Sequence, residues 1–321
     1  MATTTTTTVT EQFRNYFSKE LLKKILPQLQ LQAFAKKANL PERTGSKAIS
    51  FFRFNEPSTT NIVATATEGT TPASSEKQLT LAKIDATLIQ YVQTIAISDI
   101  LTATELFNHV EEAVRQQGED AALHCDNIIR AELASNVTDK QYLYAGASTN
   151  HAGVVAAPTV GISTADVLDA ATSIKRYSAR PIGNSYALVV PVEVSRDLQR
   201  DTNWLNVSAY SAPDGFFNGE VGKIYGCRVM ETTNGWRSTT QYTYSSSGAA
   251  FSSFLLGMDS FGVPNLASQS PFSPKVMIAD GADKADPAGL KTTIAFKSFY
   301  AAKVLQPKHI CEIYSGTGFA A

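Results

Sequence analysis

Residues 47–97 carry a polar stretch too poor in apolar side chains to fold on itself, and it runs directly into a long helix. Lys47-Ala-Ile-Ser-Phe-Phe-Arg-Phe54 reads as a strand, and residues 79–97 read as its return. Between them lie Thr, Ser, Glu, Gly and Pro, with Ile62 and Val63 as the only large apolar residues. A two-stranded hairpin alone in water is marginally stable at best. At roughly 3.3 Å per residue, this one reaches on the order of 40–60 Å. It requires a surface to lie on, and another copy of the same chain is the nearest available one.

From Ser98 the apolar period changes to that of a helix and stays so to about Ser135. Leu106, Val110, Val114, Ala121, Cys125, Ile128 or Ile129, and Leu133 form one stripe. Thirty residues of helix span roughly 45 Å, and Gly118 costs about 1 kcal/mol relative to Ala in its middle. Residues 98–140 hold nine acids and three bases, a net charge of −6. The opposite sign lies upstream. Residues 11–47 hold eight bases, among them Lys23 and Lys24, against three acids, a net charge of +5. Phe13, Phe17, Leu21 and Ile25 put one helical face on this basic arm, Pro27 ends or bends it, and Gln28–Gln32 alternates as if extended. Met1-Ala2 and the six threonines that follow are low-complexity and expected to be disordered.

Further along, residues 144–162 read as a Gly/Ala/Ser/Thr linker. Ser163-Thr-Ala-Asp166 starts a second helix whose buried face is assigned to Val167, Leu168, Ala171 and Ile174. Residues 185–191 read as a buried strand, and Val192–Arg200 as a helix. Further strands are expected at Cys227–Thr232 and Phe254–Leu256, with residues 233–250 and 264–290 as loops. A final strand pair is expected at Thr292–Tyr300 and His309–Tyr314. Helices and strands do not alternate regularly, so the class is α+β.

The chain has 28 Lys and Arg against 29 Asp and Glu. Near-neutrality argues against a dedicated nucleic-acid binder, which depends on neutralising phosphates. No apolar run approaches the roughly 20 residues needed to span a bilayer, and the N-terminal residues lack the pattern of a signal peptide. These observations lead to the expectation of a protein made and kept in a cytosol, without a membrane. Cys125, Cys227 and Cys311 are scattered and read as buried reduced thiols.

No catalytic, cofactor-binding or metal-binding set emerges. His109, His124, His151 and His309 are far apart. Adjacent residues on a helix do not face each other, so His124-Cys125-Asp126 reads as half-buried helix surface rather than a triad. Gly219-Glu-Val-Gly222-Lys223-Ile224 departs from a phosphate loop at Phe217 and at Ile224 and reads as a turn feeding a strand. Asp280, Asp283 and Asp286 recur every three residues, whereas a calcium loop needs every two.

The order of segments resembles the major capsid proteins of tailed double-stranded DNA bacteriophages, with the Hong Kong 97 shell fold. Glu68-Gly-Thr-Thr-Pro72, then Leu81, Ile84, Ala86, Leu88, Gln90-Tyr91 and Ile97-Ser98-Asp99, is similar to that family's extended loop entering its spine helix. Trp204 and the block from Gly215 through Gly222-Lys223-Ile-Tyr225-Gly226 to Asn234 resemble a signature of one large subgroup. Phe254–Val263 and Phe296–Leu305 are similar to its later segments.

The resemblance implies an N-terminal arm (1–46), an extended loop (47–97), a peripheral domain with the spine helix (98–160), an axial domain (161–270) and peripheral C-terminal strands (271–321). It implies no enzyme but a shell tile that assembles with itself into hexamers and pentamers. The shell encloses double-stranded DNA without sequence-specific binding, and portal, scaffolding and decoration proteins are the expected partners. The virion capsid is the expected location, with assembly in the host bacterial cytoplasm. Expected subunit contacts are Arg53, Glu68, Lys77 and Lys83 on the loop, Lys23 and Lys24 on the arm, and Glu111 and Glu112 on the helix. An encapsulin-like nanocompartment, an α+β enzyme and a trimeric, mostly β tail adhesin are the competing readings.

Overall fold

The computed structural model describes residues 31–40, 47–54, 80–104, 109–204, 220–245, 247–266, 277–279 and 290–319. Lys23, Lys24, Glu68, Lys77, the threonine run and the 280–286 aspartates lie outside the described residues.

The expected hairpin forms at its root. After a strand β1 (Lys36–Leu40), β2 (Ala48–Phe54) pairs antiparallel with β3 (Leu81–Thr87), from Ala48↔Thr87 to Phe54↔Leu81. The return strand expected over 79–97 is not continuous. It breaks at Leu88, whose N–H donates to the Lys47 carbonyl at 2.8 Å, and resumes as β4 (Ile89–Ser98). The break follows a slip in the period-two pattern. Ile84 and Ala86 face inward on β3, whereas Tyr91, Ile95 and Ile97 do so on β4, one residue out of phase. A one-residue slip exchanges the two faces of a strand, so β4 cannot stay in the hairpin's sheet with its apolar residues buried.

A short helix α1 (Asp99–Thr104) and the long helix α2 (His109–Ala134) follow, with residues 105–108 outside the described set. Ala113, Val114, Gln117, Ala121, Cys125, Ile129 and Leu133 form the buried face of α2. Gly118 lies on that face without interrupting the helix. Cys125 is buried, as its place in the stripe implied, and Asp126, expected at a half-buried surface, is buried beside it. The stripe widens here because η-type turn Leu31–Phe34 packs on α2 with Leu31 and Phe34 directed inward. Of the stretch Gln28–Gln32, expected to be extended, only Leu31 and Gln32 are described, and they lie in that turn. The i, i+3 pairing of two apolar side chains outweighs the alternation.

The rest of the chain builds one large sheet and two small ones. Its elements are β5 (Gln141–Tyr144), α3 (His151–Ala156), α4 (Thr164–Arg176), β6 (Tyr186–Pro191), α5 (Val192–Arg200), β7 (Glu220–Ile224), β8 (Cys227–Thr232), β9 (Trp236–Ser238), β10 (Ala250–Leu256), β11 (Phe261–Leu266), β12 (Met277–Ala279), β13 (Lys291–Tyr300), β14 (Lys303–Val304) and β15 (Ile310–Ser315). The seven-stranded sheet runs β5-β15-β10-β6-β8-β7, with β9 on β10. The three-stranded sheets are β1-β11-β14 and β12-β13-β4. The two final strands form where expected but do not pair with each other. β13 joins β4 over ten residues, whereas β15 enters the large sheet between β5 and β10. All six residues of β15 are buried, which needs neighbours on both edges and both faces.

Residues 144–162 are more than a linker. They contain α3, capped by Asn150 Oδ1 accepting from Gly153 N at 2.8 Å, and the Ala145 and Gly316 amides tie both ends to the C-terminal segment. Residues 233–250, expected as loop, contain β9. On α4 the buried face includes Ala170, and Leu168 is 41% exposed, one position off the expected stripe.

Among the described residues, two large apolar clusters and two smaller ones result. One large cluster joins α2 to β4, β13 and the inner side of β10, and the other packs α4 and α5 on the large sheet. A buried ion pair sits at the seam. Lys140 Nζ lies 2.5 Å from Glu312 Oε2, with no exposure of either side chain. The ammonium also donates to the Leu133 carbonyl at the C-terminal end of α2, where the helix dipole favours a cation. Burial pushes Lys140 down and Glu312 up, each towards its neutral form, and the partner's charge opposes both shifts. Arg130 makes a second link. Its guanidinium donates to the Asn234 and Gly235 carbonyls and lies over the Trp236 and Tyr244 rings at 5.4 and 4.5 Å.

Glu312→Gln leaves a buried ammonium without its counter-charge. A loss of about 3–5 kcal/mol is expected, read from the midpoint of urea unfolding, and Lys140→Met combined with Glu312→Leu should recover most of it. The start of α4 gives a pH-dependent test. Beyond the Ser163/Asp166 capping box, Asp201 Oδ2 accepts from Thr164 N and Oγ1, both at 2.9 Å. The Thr164 N–H first, then the amide of Asn203 and the Thr164 hydroxyl, hold the Asp201 carboxyl below its ordinary range. A depressed carboxylate stabilises above its unfolded pKa of about 4, and the contribution disappears as pH falls through the lower folded value. Asp201→Asn should therefore cost about 0.5–2 kcal/mol at neutral pH, and its deficit should vanish in acid.

Candidate subunit interface

The root of the hairpin has two different faces because β2 alternates. Ile49 and Phe51 turn inward with Ala86 and Leu305. Phe51 reaches so far that a Cβ on Gly262 would lie 2.8 Å from its ring. Arg53 is fastened to its own chain, donating from Nη1 to the Leu305 carbonyl at 3.1 Å and to Gln306 Oε1 at 2.5 Å. Beside it lies a cavity of about 540 Å3, lined by Lys36, Phe51, Arg53, Asp259, Leu305 and His309 among others. Lys36 and Asp259 pair across its mouth at 3.2 Å.

The other face is apolar and open. Phe52 is 61% exposed, Phe54 67% and Leu81 50%, and Phe54 lies directly opposite Leu81 in the ladder. Lys83 stands opposite Phe52 and pairs with Asp85 at 3.1 Å. The Ser50 hydroxyl donates to Asp85 Oδ1 at 2.5 Å. That hydrogen bond, then Lys83, hold the Asp85 carboxyl below its ordinary value.

The acidic edge of α2 forms the second element. Glu111 and Glu112 are exposed at its first turn, where carboxylates suit the helix dipole. Arg115 pairs closely with Glu112 and reaches Glu119 at 3.1 Å. Of the eight residues expected at subunit contacts, Arg53, Lys83, Glu111 and Glu112 are described. The structure gathers Arg53 and Lys83 on β2–β3 and the two glutamates on α2.

His124 and the three cysteines are packed into the subunit. His124 stacks edge-on against Tyr91 with ring centroids 4.5 Å apart, and burial lowers its pKa. Burial pushes the Cys125 thiol up to about 12, away from the thiolate a nucleophile needs. Cys227 and Cys311 are likewise buried free thiols, at about 11 and about 12. Gly222-Lys223 lies in β7, paired with β8 through a turn at Tyr225-Gly226. Periodicity missed the Lys140–Glu312 pair and the Arg130 platform. Isolated charges between apolar neighbours, as in Cys311-Glu312-Ile313, were the available signal.

A phage capsid protein family profile matches residues 59–313. No curated protein sequence matches the chain. Among solved structures, the capsid of Ralstonia phage GP4 is similar with a TM-score of 0.65 at 13% identity, covering 90% of this chain and 88% of that one. The acid-stable capsid of Helicobacter pylori bacteriophage KHP30 gives 0.65 at 12% identity, covering 88% of each. The cyanophage Pam1 capsid gives 0.62 at 15%, covering 92% and 93%. At these identities the structures speak to fold, and the α+β shell fold expected from the segment order is the one they share. The profile covers most of the chain, and it supports the capsid reading. The chain belongs to the phage capsid protein family, and its role is that of a structural subunit of the virion shell.

Proposed function

We propose that the chain is the tile of an icosahedral shell closed by hexamers and pentamers of itself, with the hairpin of each copy lying on the long helix of a neighbour. The observation that carries this reading is the open strip Phe52, Phe54 and Leu81. It begins at the root of the loop and points away from the subunit's own core. Interfaces of obligate assemblies bury roughly 2,000–5,000 Å2 at about 25 cal/mol per Å2 of apolar area, less the cost of ordering. Exposed ion pairs add about 0–1 kcal/mol each. Burial therefore drives association, and the charges of the arm and of α2 set register and partner choice.

In this reading α2, β4 and β13 form the peripheral domain, and α4, α5 and the large sheet form the axial domain, to which β5 and β15 also belong. Contacts through Lys23, Lys24, Glu68 and Lys77 complete the interface. The shell encloses phage double-stranded DNA without reading its sequence, in keeping with a chain of near-zero net charge. A portal, with scaffolding or decoration proteins, completes the particle. It assembles in the host bacterial cytoplasm, and the subunit catalyses nothing.

Deleting residues 56–77 should abolish closed particles in electron micrographs while leaving a folded subunit. Normal shells from that variant would refute the role of the hairpin. Phe52 and Phe54 are both largely exposed, so Phe52→Ser with Phe54→Ser should change the subunit's unfolding free energy by no more than about 0.5 kcal/mol. Size-exclusion chromatography should nevertheless shift from particles to free subunits or small rings.

A further inference from the structure

The β12-β13-β4 sheet ends on one side in an edge unlike any other among the described residues. β4 is ten residues long and pairs with β13 through ten consecutive positions without a bulge. Its sequence, Ile-Gln-Tyr-Val-Gln-Thr-Ile-Ala-Ile-Ser, contains no charge, proline or glycine. No described strand pairs with its outer edge.

An edge strand exposes a row of backbone donors and acceptors, and natural proteins blunt such edges with charges, bulges, prolines or shortness. The other described edges follow that rule. β12 has three residues and β14 two. β5 has four, and β1 carries Lys36 and Lys37. β7 carries Glu220 and Lys223, and the hairpin carries Arg53, Lys83 and Asp85. β4 alone is long, regular and uncharged. Apolar side chains surround it, with Ile89 53%, Val92 58%, Leu290 58% and Ile100 70% exposed.

We propose that this edge is a docking site for an added strand, and that the strand is the threonine segment, residues 2–10, of a sister copy. The proposal rests on the shell reading above and specifies one of its contacts. Ala-Thr-Thr-Thr-Thr-Thr-Thr-Val-Thr is nine residues long against ten, and it is as free of charge as β4. Its β-branched side chains favour the pleated state once a partner strand is present. An uncharged, β-branched segment of this length suits the mode in which a strand is added to an existing edge. The length of chain permits the contact. The described structure begins at Leu31 against α2, the helix that covers the inner face of β4, and twenty residues separate it from Thr10. A run of one residue type fixes register poorly. The contact therefore tolerates the small shifts between six-fold and five-fold surroundings.

The test is hydrogen exchange on the assembled full-length protein and on a variant lacking residues 2–10. Edge-facing amides of β4 should exchange about tenfold or more slowly in particles than in dissociated subunits, and the deletion should remove that protection. A Thr6→Cys, Thr94→Cys pair in the otherwise full-length protein should give disulfide-linked dimers and a ladder of larger species after oxidation. Protection that survives the deletion assigns the edge to another occupant and overturns the proposal. Unchanged exchange in intact particles, or an intrachain link alone, also overturns it while the shell reading stands. Failure of the full-length protein to form any particle refutes the shell reading itself.

Discussion

The ten-residue ladder between β4 and β13 holds together parts of the chain that lie far apart in sequence. β4 leaves the hairpin at Leu88 and enters the long helix after Ser98, and β13 comes from the C-terminal sixth of the chain. Their inner faces, Ile95 and Ile97 with Ile294 and Phe296, supply the surface on which α2 packs. Gln117 reaches from the helix to the Gln93 carbonyl at 2.9 Å, and Asp120 accepts from Gln93 Nε2 at 3.0 Å. Without the ladder, the hairpin would have no rigid base and α2 no sheet to cover. Such non-local pairing is slow to form because loop closure precedes its reward. A tile folded this way must complete its own sheets before its edges are offered to neighbours.

The seam between the long helix and the large sheet is polar where a hydrophobic contact would be simpler. Lys140 and Glu312 lie with no exposure among Phe254, Tyr142 and the end of α2. Replacing such a pair by apolar residues is often neutral, so its presence points to geometry rather than net stability. The ammonium serves a carboxylate of β15 and a helix carbonyl together, which fixes the angle at which helix and sheet meet. Arg130 does the same a little further along α2, gripping the Asn234–Tyr244 segment. Two directional clamps at one seam suit a subunit that must present the same shape to many neighbours.

Periodicity made much of this legible. The 3.6-residue stripe located α2, the capping box located the start of α4, and short apolar runs located β6, β8 and β13. The misses share one cause. β15 reads as the partner of β13 because the two are neighbours in sequence, yet a strand buried on every side can go wherever two edges are open. The residues taken as a linker, 144–162, are small and polar, so α3 had no apolar period to reveal it. Its stability comes from contact with Tyr314 and the C-terminal segment, which no local window contains. In the interface, sequence separated basic arm from acidic helix. It had no means of showing that Arg53 is held by Leu305 and Gln306, because that contact spans most of the chain.

That last point limits what charge can do between copies. The acids of α2 are the natural partners of a basic arm, but several are already engaged. Glu112 and Glu119 share Arg115, Glu132 pairs with Lys303 at 3.0 Å, and buried Asp126 accepts from Asn234. A basic arm on this surface competes with existing partners, and the exchange of one exposed ion pair for another is close to neutral. The apolar strip on the hairpin has no such competitor within the described chain. In the proposed interface, association energy therefore concentrates where Phe52, Phe54 and Leu81 lie open, and the charge pattern is assigned the choice of neighbour and its orientation.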